Sequence, residues 1–212
     1  MKNIDLRKTV NLHKYNLNLQ NLISQWKIII PLILSLAGIF IGTFVVKGES
    51  TLYSKIGVFI EANILNNSHE TFYVNLIIYL LVPTLFAVIM FFMGLSVYGG
   101  LVAAMIPFIF GLMSGVITYY MYSEYTLKGL AYCVIMIFPY ITLSLFSLIL
   151  ITGECITMSQ YLLCELSPKH RKAPDYSITK YYINTLKSYV IIIIAAFIKT
   201  GIEMLFIGLF IF

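Results

Sequence analysis

The sequence predicts an all-α integral membrane protein: a five-span helical bundle with a cytoplasmic N-terminus, an outside C-terminus and an N-terminal amphipathic interfacial helix. Composition gives the first reason. Of 212 residues, 60% are hydrophobic and 11% charged, whereas a soluble domain averages about 25% charged. The second reason is the 53-residue run Thr71 to Ser123, which holds no charged residue and no histidine. A crossing takes ~20 apolar residues for ~30 Å of hydrocarbon, so this run makes two crossings joined by a turn. The third is charge placement. Ten of the fourteen Lys/Arg lie in 1–27 and 165–187, three lie in the two other loops, and Lys199 lies inside a span. With five alternating spans both rich segments share one face, and the positive-inside rule makes that face cytoplasmic. The net charge of +5 follows membrane placement, so nucleic acid is not an expected partner. Abundant Ile, Lys, Asn and Tyr fits an AT-rich bacterial genome, which places the chain in a bacterial cytoplasmic membrane as a multi-pass protein.

Taken in order, the chain divides into a cytoplasmic amphipathic lead (1–27), a four-span core (28–163) with an outer loop (47–72), a basic cytoplasmic segment (164–187) and a final span (188–212). In the lead, Leu12, Tyr15, Leu19, Leu22, Ile23 and Trp26 recur at helical spacing. They form either an amphipathic helix on the inner membrane face or a simple lead-in to the first span. Ile28 to Val46 is that span. No A-x-A cleavage pattern follows it, unlike a signal peptide. Gly38 and Gly42 give it a small-xxx-small face, which lets another helix approach closely. In the outer loop, Leu52, Ile56, Phe59, Ile60 and Ile64 predict a short interfacial helix.

Span 2 runs from about Tyr73 to Val97 with Pro83 inside. The Tyr98-Gly99-Gly100 turn follows, where glycines allow backbone angles that other residues avoid. Span 3 runs from about Leu101 to Tyr122, with Pro107 inside and Gly111-x-x-x-Gly115 on one face. A short loop, Ser123 to Gly129, leads to the fourth span, which starts near Leu130 and contains Pro139. Proline removes a backbone donor and kinks a helix. The carbonyl it frees needs another partner in a membrane, so the three prolines mark either a gate or cavity or ordinary packed kinks. Glu154 falls at or just below the inner boundary, where the helix projects toward the cytoplasm. Lys169, Arg171, Lys172 and Lys180, broken up by Pro168 and Pro174, form a candidate cytoplasmic docking surface. A helical stripe resumes at Ile178, and the last span is Ser188 to Phe212.

The chain carries no recognised catalytic pattern. His13, His69 and His170 lie outside the spans and far apart, and the chain has no HExxH, P-loop or GxGxxG. Gly111-Leu-Met-Ser-Gly115 is only faintly like an intramembrane serine protease. It lacks the glycine spacing, and no span holds a histidine to act as base. Cys133, Cys155 and Cys164 form no CxxC and read as small packing residues. The expectation is therefore no enzyme, no catalytic residue, no cofactor and no metal. One constellation stands out. Lys199 and Glu203 are four residues apart on one face of the last span, with Lys199 about 16 Å deep. Intramembrane charges face a partner or a cavity. The pair is a self-neutralising one inside the bundle, a contact with a partner subunit, or part of a proton or substrate path.

Phe92-Met-Gly94-Leu-Ser96-Val-Tyr-Gly99, then Pro107, Gly111 and Gly115, then Phe138-Pro139, resembles the stage II sporulation protein M family. The closing Ala195-Ala-Phe-Ile198 and Ile202-Glu203 resembles that family's last helix. The resemblance covers roughly 85–163 and 190–212. It implies a small multi-span protein without catalytic residues, which scaffolds wall-degrading partners or serves peptide export or immunity beside an ABC-type ATPase. Lys199, the basic segment 165–187 and the long N-terminal lead depart from that pattern. The expected function is a non-enzymatic subunit of a membrane complex that scaffolds envelope-remodelling partners. The alternative is the permease subunit of a peptide exporter with a separate ATPase. Expected partners are membrane lipid and other membrane or membrane-associated subunits, a wall hydrolase or an ATPase, with homo-oligomerisation left open.

Overall fold

The computed structural model describes residues 25–45, 57–58, 72–166 and 176–206, and every described element is helical. Helix α1 is Gln25–Val45, α2 is Phe72–Gly94 and α3 is Gly99–Tyr132. A π-helical turn, Cys133–Ile137, follows. It leads into α4, Phe138–Leu166, and α5 is Ile178–Phe206. Four stretches are long and apolar enough to cross a membrane: Gln25–Val45, Phe72–Gly94, Gly99–Leu166 and Ile178–Phe206. Apolar side chains such as Phe40, Phe44, Ile77, Phe92 and Leu101 cover the outside. This is the surface of a chain whose solvent is lipid, and the protein is a helical membrane bundle.

The 68-residue stretch Gly99–Leu166 would be about 100 Å long if straight. It is folded back at Thr126, whose φ of 51° and ψ of −127° break the helix. A positive φ at a β-branched residue is rare and reverses the chain here within one residue. Gly129 then lies so close to the Met121 carbonyl that a Cβ would collide with it. The expected loop from Ser123 to Gly129 is thus helical apart from Thr126.

Partner positions along the helices give their directions. The Phe91 ring stacks on Tyr181 and the Phe72 ring meets Phe197, so α2 and α5 are antiparallel. Ser147 bonds the Ser188 carbonyl and Cys155 meets Tyr181, so α4 and α5 are antiparallel. Gly100 bonds Ser159, at opposite ends of α3 and α4. Helix α1 runs parallel to α3. Gly111 and Gly115 lie against the carbonyls of Ser35 and Ile39, while Gly38 and Gly42 lie against those of Phe108 and Leu112. The two small-xxx-small faces therefore pack on each other, backbone to backbone, and a Cβ at any of the four glycines would collide with a carbonyl.

The structure corrects the turn between α2 and α3. It occupies Leu95 to Tyr98, and Gly99 and Gly100 already belong to α3. No described glycine has a positive φ. Absence of a Cβ matters instead. At Gly99 it would overlap the Met93 carbonyl, and at Gly100 it would come within 2.9 Å of the Ile156 Cα. The helical stripe expected from Ile178 and the last span form one continuous helix. Residues 1–24 of the amphipathic lead lie outside the described residues, and 25–27 belong to α1; most of the expected outer-loop helix also lies outside them. In that loop Gly57 is described, and a Cβ there would come within 2.9 Å of the Tyr120 ring.

Candidate functional site

Glu203 is the centre of a buried polar cluster near the C-terminal end of α5. Lys199 and Glu203 are each 2% exposed. The ammonium of Lys199 donates to Glu203 Oε1 at 2.9 Å. The hydroxyl of Tyr79 donates to the same oxygen at 2.8 Å, and that of Tyr132 at 3.4 Å. Helical spacing puts Lys199 and Glu203 on one face, and antiparallel packing brings Tyr79 of α2 to it. The ammonium also lies 4.8 Å from the Tyr79 ring centre and 5.5 Å from that of Tyr132, within cation–π range. The two tyrosines therefore donate protons to the anion and present ring faces to the cation. Of the three sequence-level readings of the pair, the geometry matches the pair facing the bundle interior.

Beside this cluster lies a cavity of about 390 Å³, lined by Tyr79, Val82, Phe110, Ile137, Tyr140 and Lys199 among others. It is apolar except where Lys199, Ser114 and the tyrosines reach it. The π turn Cys133–Ile137 forms part of its wall through Ile137.

The prolines sort by what replaces their missing hydrogen bond. Pro83 leaves the Tyr79 carbonyl without its helical donor, and the Tyr140 hydroxyl supplies one at 2.7 Å. Pro139 lies two residues after the end of the π turn. There the Phe138 N–H reaches back five residues to Cys133, and the widened ladder gives the proline ring room. Pro107 is buried in α3, one turn before Gly111.

Glu154, the expected boundary acid, is held by side chains of the segment leading into α5 and of α5 itself. It accepts hydrogen bonds from the Tyr176 hydroxyl and from Asn184 Nδ2, the latter at 3.2 Å. Burial, then the bond to the Glu154 carboxylate, raises the Tyr176 phenol above its ordinary value, so it remains a donor at neutral pH. Of the docking residues, Lys169, Arg171 and Lys172 lie outside the described residues, and Lys180 is exposed at the start of α5. The three histidines also lie outside them. Among the described residues, no three His, Cys, Asp or Glu come together as a metal site.

The sequence reading missed a stripe on α4. Ser144, Ser147, Thr152, Cys155 and Ser159 are all buried, at intervals of three to five residues along one face. Ser147 donates to the Ser188 carbonyl at 2.6 Å. Cys155 donates to the Met90 carbonyl at 3.2 Å. Ser159 donates to the Ser96 carbonyl at 2.6 Å and accepts from Gly100 N–H at 2.8 Å. The turn between α2 and α3 is thus clamped onto α4 at Met90, Ser96 and Gly100. Small polar residues at helical spacing were the available signal.

No family model matches the chain, and neither a curated protein nor a solved structure matches it significantly.

Proposed function

We propose that the chain is a five-span, non-enzymatic subunit of a bacterial cytoplasmic-membrane complex, a scaffold for partners that remodel the envelope. Two features support five crossings with the N-terminus inside: the alternation of helix directions, with the long stretch folded at Thr126, and the sequence's concentration of Lys and Arg in 1–27 and 165–187, of which the described Lys27, Lys180 and Lys187 lie at one end. The observation that carries the scaffold role is the use of the buried polar groups. The buried Ser147, Cys155, Ser159 and Glu203 and the partly buried Tyr140 each bond another helix. They fasten a fixed bundle whose outer surface is left for other subunits. The partner class follows from the resemblance to the stage II sporulation protein M family.

One observation favours the second reading, a peptide-exporter permease paired with a separate ATPase: the cavity beside Lys199. Purification of the tagged protein from its native membrane in mild detergent, with mass spectrometry of the co-purifying chains, separates the two. A scaffold retains a wall hydrolase or an anchored exoplasmic protein and no ATPase. A stoichiometric nucleotide-binding ATPase would replace the scaffold with the exporter, and the chain alone would contradict both.

A further inference from the structure

A second pocket lies at the opposite end of the bundle from Glu203. It has a volume of about 340 Å³ and is lined by Lys27, Glu154, Thr157, Asn184 and Lys187, over a floor that includes Ile28 and Leu150. Its level is set by Trp26 and Lys27 of α1, an aromatic and a basic residue of the kind that marks the edge of an apolar span. Helix α4 continues past this level for about 18 Å, from Glu154 to Leu166, so the pocket opens beneath the projecting ends of α4 and α5. Its polar rim is therefore at headgroup depth and its floor faces the hydrocarbon.

The charges do not cancel. Two ammoniums face one carboxylate, leaving one positive charge, and that carboxylate already holds Tyr176 and Asn184. Lys27 donates to Thr157 Oγ1 at 3.0 Å, and Lys187 is exposed. Neither Lys27 nor Lys187 comes within ion-pair distance of a described carboxylate, so neither lysine of this pocket is neutralised by a bridge. Basic pockets between helices on the cytoplasmic side suit anionic lipid headgroups.

We propose that this pocket binds the phosphate of an anionic phospholipid, with Lys27 and Lys187 on the phosphate, Thr157 and Asn184 beside it, and the acyl chains passing Ile28 and Leu150. The site rests on the membrane reading above, with the Lys27 end at the inner face, and not on the identity of any partner.

The test places the full chain in nanodiscs of phosphatidylcholine doped with phosphatidylglycerol and counts retained lipids by native mass spectrometry. Phosphatidylglycerol is retained in preference to phosphatidylcholine. Lys27→Gln and Lys187→Gln each lower that retention about five-fold. Gly153→Leu lowers it without changing charge. Gly153 lines the pocket, and an added Cβ there stays at ordinary contact distance, with no atom closer than 3.7 Å. Lys128→Gln, near the Thr126 break at the far end, changes nothing. Equal retention of the two lipids, or retention indifferent to all three pocket substitutions, overturns the proposal. So does inorganic phosphate displacing the lipid completely, because free phosphate would then be the occupant. A chain that fails to enter nanodiscs contradicts the membrane reading, whereas a reconstituted chain without lipid preference contradicts only this site.

Discussion

Glu203 shows how a single carboxylate can be kept inside an apolar bundle. One oxygen collects an ammonium and two phenols, and the ammonium is shared with two rings. Removing one partner strands the other, which costs about 3–5 kcal/mol for a buried pair. Lys199→Leu and Glu203→Gln should each lower unfolding stability by that order in a denaturant titration of the detergent-solubilised protein. Lys199→Met combined with Glu203→Leu should recover most of the loss, because an apolar replacement leaves no unpaired charge. If either single variant is as stable as the parent but blocks export, the pair belongs to a transport path. Tyr140→Phe leaves the Tyr79 carbonyl without its substitute donor and should cost about 1 kcal/mol, typical of a hydrogen bond within a membrane. The pair was legible in the sequence because two charges four residues apart in an apolar run have few neutral explanations. Tyr79 and Tyr132 were not legible. They come from α2 and the end of α3, and nothing in their local sequence separates them from the other tyrosines of the chain.

At the scale of helices, glycine positions decide which faces meet. Each small-xxx-small pattern was visible in the sequence, but that they pack on each other depends on the parallel placement of α1 and α3. Gly38→Leu or Gly111→Leu would push α1 off α3 and should cost about 1–3 kcal/mol, the usual penalty of overpacking. Gly201 is the contrast, since nothing lies within 4 Å of a Cβ there. Gly201→Ala should be neutral or stabilising by up to about 1 kcal/mol through helix propensity. The break at Thr126 was read as a seven-residue loop, because Glu124 and Lys128 look like loop residues. One backbone angle suffices instead. Thr126→Gly should relieve about 1 kcal/mol of backbone strain and raise the midpoint of the same titration.

For the whole molecule, hydropathy located the spans because a lipid-facing helix must be apolar nearly all round. Helix α5 extends ten residues ahead of Ser188, to Ile178, where the sequence already shows a helical stripe. That end carries Lys180 and Lys187 and leaves the hydrocarbon, so hydropathy alone does not register it as part of the span. Both the scaffold role and the lipid pocket depend on one topology, with the Lys27 end inside and the Thr126 turn outside. Site-directed thiol labelling tests it directly. Cys133 and Cys155 are buried and Cys164 is partly exposed near the end of α4, so the two buried cysteines are replaced by alanine and Thr126→Cys is introduced. In intact cells a membrane-impermeant maleimide should label position 126 and leave Cys164 unmodified until the membrane is permeabilised. Labelling of Cys164 before permeabilisation, or protection of position 126 until then, would contradict the topology on which the proposed function stands.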